Sequence, residues 1–347
     1  MKYQFGNFYT TINFTSSEEL KKNILSKKAG KELLVFDKNT KGVFTRLVGG
    51  REVALEEVIF PSGEKEKNME NVKRLLEKAL WLEMGRDDTI TGVGGGVICD
   101  MSAFAASLYM RGCRLVLIPT TLLAMIDAAI GGKTGVNFGG YKNIIGTFYP
   151  AEEIMICVEF LSTLPESEFK NGLAELIKHA LLGNGELLSI IEERRDEILK
   201  RNMLLLKEIV FQAVQVKCKI VERDLRESGE RVSLNLGHTF AHALEAVSGL
   251  NTWPHGVAVA WGIGKALKAG EQIGVTDSEY AKRVKALLSG YGFELDLPEL
   301  QEEKIIEAMK YDKKKRDGNV RLVLQRRLGE TFITTVEEKV LLKVLED

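Results

Sequence analysis

Three of the chain's four histidines, His238, His242 and His255, fall in the single stretch LNLGHTFAHALEAVSGLNTWPHG. Imidazoles gathered in this way are common donors to a divalent metal, and a catalytic zinc site takes three protein ligands and leaves a fourth position open. His238 and His242 stand four apart where apolar residues recur at helical spacing, so they share a helix face, and His255 follows a loop that ends at Pro254. Two segments can then converge on one ion, with a further ligand from elsewhere. A lone HxxxH pair is more often core or surface, and the metalloprotease form HExxH is absent, because Thr239, Phe240 and Ala241 lie between. The best carboxylate to complete the set is Glu175, three residues before Lys178 in a predicted helix beside Leu176, Ile177 and Leu181. Taken alone, a charged pair at that spacing is a solvated one.

A second group suits an anion. TGVGGGVICDMSAFAAS runs an apolar strand into Gly94, Gly95 and Gly96 and then into a helix, the layout in which backbone amides and a helix N-terminus cradle a pyrophosphate. It departs from the dinucleotide fingerprint, since counting from Gly92 and Gly94 puts Val97 at the third glycine. Asp37 ends a strand and can take a ribose hydroxyl or simply cap a helix, and the turn PSGEKEK offers Gly63, Glu64 and Lys67. In IPTTLLAMIDAAIGGKTGVNFGGYKN the polar residues Thr120, Thr121, Asp127, Lys133, Asn137, Lys142 and Asn143 interrupt apolar, glycine-rich chain. GGKT there is no Walker motif, because Ala128 stands where its first glycine belongs, but lysines on glycine loops suit a phosphate-bearing ligand.

The elements that must position these groups follow from periodicity. Up to about residue 160 the runs ELLVFD, VALEEVIF, DTITGVGGG, RLVLIPT and IMICVE alternate with helical patterns, including an amphipathic stretch from Glu64 to Met84, which predicts a parallel sheet flanked by helices. Beyond Ser162 strands almost vanish. Thr163 can cap and Pro165 begin a helix ending near Gly183, further helices reach about Lys310, and RLVLQ with GETFITTV forms a hairpin before a terminal helix. The fold class is therefore α/β, with a Rossmann-like parallel-sheet domain over 1–159 and a mostly α-helical, metal- and substrate-binding domain over 160–347. The site is expected in a cleft between them, outside the carboxyl ends of the strands.

Composition bounds the function. The 347 residues are 45% hydrophobic with six prolines, which excludes a disordered or collagenous chain. A net charge of −1 gives no general attraction to nucleic acid or an anionic membrane. The cysteines Cys99, Cys113, Cys157 and Cys218 never form CxxC and read as reduced, buried thiols. With no signal peptide or membrane span discernible, a cytoplasmic protein is expected.

The segments GGGVICD, IPTTLLAMIDAAIGGKTGVN, KNIIGTFYP, LAELIKH, LNLGHTFAHALE and HGVAVAWG, in this order and at matching intervals, resemble the 3-dehydroquinate synthase family of the sugar-phosphate cyclases. The resemblance covers about residues 32 to 320. It implies an NAD- and divalent-metal-dependent carbon–oxygen lyase, with zinc or cobalt, that converts 3-deoxy-D-arabino-heptulosonate 7-phosphate to 3-dehydroquinate in the shikimate pathway of aromatic amino-acid biosynthesis. A homodimer is implied as well.

Position by position, the resemblance assigns Glu175, His238 and His255 to the metal and leaves His242 near the substrate phosphate. Asp37, Ser62, Gly63, Glu64 and Lys67 match cofactor-holding positions, as do Gly95, Gly96, Val97 and Asp100. Thr120, Thr121, Lys133, Lys142, Phe160 and Thr163 complete that set. Asp127, Lys133, Asn143, Lys178 and Lys217 match substrate-contacting positions, with Arg231, Asn235, His242 and Lys313, and Arg111 matches one that reaches a neighbouring subunit's site. The chain departs from the pattern at Cys99, Ala103 and Ala241, where glycine is usual, and at Val257, which replaces a glutamate. That last change removes a carboxylate next to a metal ligand, a position where outer partners typically matter about 10- to 100-fold. The rivals are a related sugar-phosphate cyclase, against which Lys217 and Arg231 on the carboxylate side argue, a metal-dependent polyol dehydrogenase, which would not need the lysines, and a non-catalytic relative.

Overall fold

The computed structural model describes residues 1–26, 30–49, 56–248, 252–296, 302–312 and 320–346. It divides into two compact units, Met1–Phe169 with Arg201–Arg226, and Lys170–Lys200 with Glu227–Asp347.

The first unit is built on the strands β1 (Lys2–Phe5), β2 (Phe8–Phe14), β3 (Glu32–Asp37), β4 (Glu56–Phe60), β5 (Thr89–Gly94) and β6 (Arg114–Pro119). A small hairpin, β7 (Val136–Phe138) with β8 (Tyr141–Ile145), precedes β9 (Glu153–Ile156). The main sheet has the order β1-β2-β9-β6-β5-β3-β4, parallel throughout except for the antiparallel β1–β2 pair at its edge. Its central strands are buried on both faces, which is why Leu33 to Phe36 and Leu115 to Ile118 are unbroken apolar runs. The helices Lys38–Leu47, Met69–Trp81 and Gly96–Leu108 make the crossovers. The amphipathic stretch from Glu64 is a 3₁₀ turn, Glu64–Glu66, followed by the helix Met69–Trp81, because Asn68 accepts from the Asn71 amide and starts the helix there.

Three features differ from the sequence expectation. The β1–β2 hairpin was not anticipated, because β1 is a short edge strand and β2, FYTTINF, buries only Thr10 and Ile12 and carries no apolar run. The glycine-rich region after β6 holds a π-helical turn, Ala124–Ala128, and the β7–β8 hairpin rather than plain loop. Thr163 ends a 3₁₀ turn, where its hydroxyl donates to Phe160 O at 2.9 Å, and so does not cap the following helix, Glu166–Leu181.

The helix Met203–Arg223 packs against β1, the π-helical turn and the 3₁₀ turn Val158–Thr163, so contacts assign it to the first unit although it follows residue 160. A cut of the chain at 159/160 does not reproduce these contact-defined units.

The second unit is helical apart from the hairpin β10 (Val320–Gln325) with β11 (Thr331–Val336). Its core centres on the helix His255–Gln272, whose Trp261 is fully buried edge-on to Phe240 of the helix His238–Ser248, ring centroids 6.0 Å apart. The expected terminal hairpin and terminal helix, Glu338–Glu346, are both present. Among the described residues, no helix is long and apolar enough to cross a membrane.

Candidate active site

In the second unit, three helices are brought close enough for their backbones to touch. A Cβ on Gly256 would lie 2.4 Å from Asn171 O, and one on Gly262 would lie 2.1 Å from Gly237 O, so only glycine permits either approach. The Asn171 side chain also accepts the Gly256 amide at 3.2 Å, supplying to the start of His255–Gln272 a cap that Pro254 cannot. Asn171 lies one turn before Glu175, Gly237 immediately before His238, and Gly256 immediately after His255.

The consequence is a tight cluster. Glu175 Oε1 lies 3.4 Å from His238 Nε2 and 3.5 Å from His255 Nε2, and one donor atom from each residue falls within 4.8 Å of the others. Glu175 is fully buried, and Lys178 Nζ, also buried, sits 2.5 Å from its Oε2. Such a pair needs its counter-charge, since removing one member strands a charge in the interior. His238 Nδ1 faces Leu236 O at 3.2 Å, which places its proton there and its lone pair on Nε2. Burial first, and then the Lys178 ammonium, push the His238 imidazolium down to about 3, so the ring is the neutral ligand form. At His255 burial works the same way but is outweighed by Glu175 and Glu245, which raise it to about 9. His242 stacks edge-on to His238 at 5.4 Å between centroids and lies outside the donor cluster.

Arg231 and Asn235 share the 3₁₀ turn Glu230–Asn235 in this unit, with Arg231 1% exposed. Asn235 Nδ2 donates to the carboxylate of Glu227, whose φ is +58°. Glu227 was not read from the sequence, since in ERDLRESGER it looks like one more solvated charge. Glu245 was missed for the same reason, and Asn171 because a single amide in a helical run carries no signal of its own. Lys313 lies outside the described residues.

In the first unit, most residues assigned to the cofactor lie along one edge of the sheet. Phe160 and Thr163 follow β9, Thr120 and Thr121 follow β6, Gly95, Gly96 and Val97 follow β5, Asp37 ends β3, and Ser62 and Gly63 follow β4. Since β9, β6, β5, β3 and β4 are adjacent and parallel, these are neighbouring carboxyl ends, where open α/β sheets bind ligands. Gly95 begins the helix Gly96–Leu108 without any side-chain cap, so no side chain of its own covers the first-turn amides. Asp37 does cap Lys38–Leu47, its Oδ1 accepting the Asn39 and Thr40 amides, and it also accepts the Ser62 hydroxyl at 2.9 Å. Phe160 is 1% exposed, so its ring is core.

A polar network joins the β7–β8 hairpin to this edge. The Lys67 ammonium donates to Asp100 Oδ2 and to Asn143 Oδ1, Asn137 Nδ2 donates to Glu64 Oε1 at 2.8 Å, and Asn137 Oδ1 accepts the Asn143 amide at 2.9 Å. Burial opposes a charge on Lys67, but Asp100 and Glu64 outweigh it and hold the ammonium above its usual range. On the π-helical turn, Asp127 accepts from Lys217 Nζ through both its backbone oxygen at 2.6 Å and its Oδ1 at 2.5 Å. Lys133 and Arg111 are exposed and Lys142 is half-buried on β8. The structure thus gathers Asp127 with Lys217, and Lys67 with Asp100 and Asn143, in one unit, and Glu175, Lys178, His238, His242 and His255 in the other.

The fold, a sheet unit and a helical unit, is one found in solved sugar-phosphate cyclases, and the helical unit carries the Glu175, His238 and His255 cluster. A 2-epi-5-epi-valiolone synthase from Streptomyces hygroscopicus subsp. jinggangensis, solved with NAD+ and Zn2+ bound, superposes with a TM-score of 0.88 at 26% identity, covering 99% of this chain and 97% of that one. The sequence narrows the class, since models of the 3-dehydroquinate synthase N-terminal and C-terminal regions match residues 57–171 and 172–315. The 3-dehydroquinate synthase of Pyrococcus furiosus is 42% identical over 299 residues, 86% of each chain, and that of Thermoanaerobacter pseudethanolicus 41% over 288 residues, 83% of this chain and 81% of the relative. The chain belongs to the 3-dehydroquinate synthase family.

Proposed function

We propose that this protein converts 3-deoxy-D-arabino-heptulosonate 7-phosphate into 3-dehydroquinate and phosphate, as a cytoplasmic, homodimeric lyase dependent on NAD and a divalent metal. The observation that carries the reading is the Glu175, His238 and His255 cluster in a chain of this family. Its edges of 3.4 and 3.5 Å fit those of a tetrahedron around an ion with ligand bonds of about 2.1 Å, whose edges are about 3.4 Å. One carboxylate and two imidazoles, His238 already neutral and His255 giving up its Nε2 proton to the ion, suit zinc or cobalt. The bare N-terminus of Gly96–Leu108, at the carboxyl edge of the sheet, suits a pyrophosphate.

When bound, the metal supplies Lewis acidity at substrate hydroxyls, and NAD takes up and returns a hydride so that neither is consumed. The chain's own residues do the rest. Glu175, His238 and His255 hold the ion, and Lys178 balances the Glu175 charge. Gly95, Gly96 and Val97 present backbone amides to the cofactor, with Asp37, Ser62, Gly63, Glu64, Lys67, Asp100, Thr120, Thr121, Lys142, Phe160 and Thr163 around it. Lys217 and Arg231 take the substrate carboxylate, and Asp127, Asn235 and Lys178 contact the remainder of the substrate. Phosphate departs as a dianion, so cationic and hydrogen-bonding groups fixed around it lower the barrier, a task given to Lys133, Asn143, His242, Lys313 and a neighbouring subunit's Arg111.

Phosphate release measured with NAD far below the substrate concentration tests this reading. Many turnovers per NAD are expected, each giving one phosphate and one dehydroquinate with no build-up of NADH. NADH accumulating in step with substrate loss would reveal a polyol dehydrogenase, and no phosphate from the metal- and NAD-loaded protein would leave a non-catalytic or differently specific relative.

A further inference from the structure

The helix His238–Ser248 carries Glu245 two turns beyond His238, and there the side chain is 7% exposed with Oε1 3.6 Å from His255 Nδ1. A carboxylate is costly to bury, and a position two turns along the helix from a ligand is no accident of surface charge. His255 Nε2, on the opposite side of the ring, is the atom that faces Glu175 Oε1. Metal-binding imidazoles characteristically give their other N–H to a carboxylate or a carbonyl, which sets the tautomer, fixes the ring plane and strengthens the ligand. His238 has such a partner in Leu236 O.

We propose that Glu245 is the positioning residue of the metal centre, orienting His255 through Nδ1 from the neighbouring helix. The carboxylate that faces the Nδ1 side of His255 comes from Glu245. The two histidines are then unequal. His255 is held by an anion and is the stronger donor, while His238 is held by a neutral carbonyl. The proposal deepens the metal-site reading and rests on it.

Metal-free protein titrated with Co2+, read by its visible absorption bands, and with Zn2+ against a chromophoric chelator, tests it in Glu245→Gln, Glu245→Leu and His255→Ala. Glu245→Gln keeps an acceptor but loses the charge, so a rise in Kd of about 10-fold is expected with one ion still bound, and Glu245→Leu should reach about 100-fold with altered cobalt bands. His255→Ala should lose stoichiometric binding. Thermal unfolding of each metal-free variant shows whether it folds, and Glu245→Gln, nearly the same in shape, keeps the test open if the leucine variant does not. Wild-type affinity and cobalt spectrum in folded Glu245→Gln and Glu245→Leu, with binding lost in His255→Ala, would overturn the role of Glu245 alone. Stoichiometric, wild-type binding in His255→Ala would overturn the metal site itself.

Discussion

Lys67 shows how a residue that looks unremarkable in sequence acquires a role through its neighbours. In PSGEKEK it reads as one of several solvated charges, yet its side chain is 6% exposed and anchored between Asp100, on the helix behind the glycine turn, and Asn143, on the β7–β8 hairpin. Removing one member of a buried pair leaves the other stranded. Lys67→Met should therefore destabilise the protein by about 3 kcal/mol and weaken NAD binding, while Lys67→Met with Asp100→Leu should recover part of the stability. Urea unfolding and nucleotide titration would check both, and full recovery of NAD affinity in the double variant would remove Lys67 from the cofactor site. The same limit governed what could be read elsewhere. Histidines are rare and their spacing was visible, so His238 and His255 stood out. Glutamates are common, and nothing in ALEAVS distinguishes a buried Glu245 from a surface one. Its role exists only once two helices are laid side by side.

At the scale of elements, the Glu175, His238 and His255 cluster depends on how closely three helices pack, and glycines set that distance. The sequence displayed Gly237, Gly256 and Gly262, but not that each faces another backbone. Gly262→Ala would place a methyl 2.1 Å from Gly237 O, a contact relieved only by moving His255–Gln272 away from the turn that presents His238. A loss of about 3 kcal/mol in stability is expected, with weaker metal binding, because the shift opens the gap between His238 and His255. Calorimetry with and without zinc would measure both, and unchanged metal affinity would show that the ligands tolerate the displacement. Elements with a strong period were legible: the central strands, the glycine turn with its helix, the helix of Glu175 and the terminal hairpin. The β1–β2 edge and the β7–β8 hairpin were not, since short, half-exposed strands take their form from pairing partners distant in sequence.

At the scale of the whole molecule, the sequence showed where strands give way to helices but not that Met203–Arg223 returns to pack on β1, a contact between residues some two hundred positions apart. Arg111 is exposed at the end of the 3₁₀ turn Tyr109–Arg111. It follows Met110, and both adopt left-handed backbone, with φ of +64° and +52°, at a turn where Leu108 and Met110 leave apolar surface exposed. Left-handed geometry costs a non-glycine residue roughly 1–2 kcal/mol, and strain of this sort persists where the surroundings or a function demand it. The expected function is to complete the phosphate pocket of a second copy of the chain. Arg111→Ala and Lys178→Ala should each be inactive as homodimers. In a mixed dimer the Arg111→Ala chain keeps its own Lys178 and borrows its partner's Arg111, so one of the two sites is whole. Random exchange of equal amounts should then restore about a quarter of the wild-type rate of phosphate release, half the dimers being mixed and half of their sites intact. Mixed dimers confirmed by affinity tags on each chain, yet still inactive, would place Arg111 in the service of its own subunit.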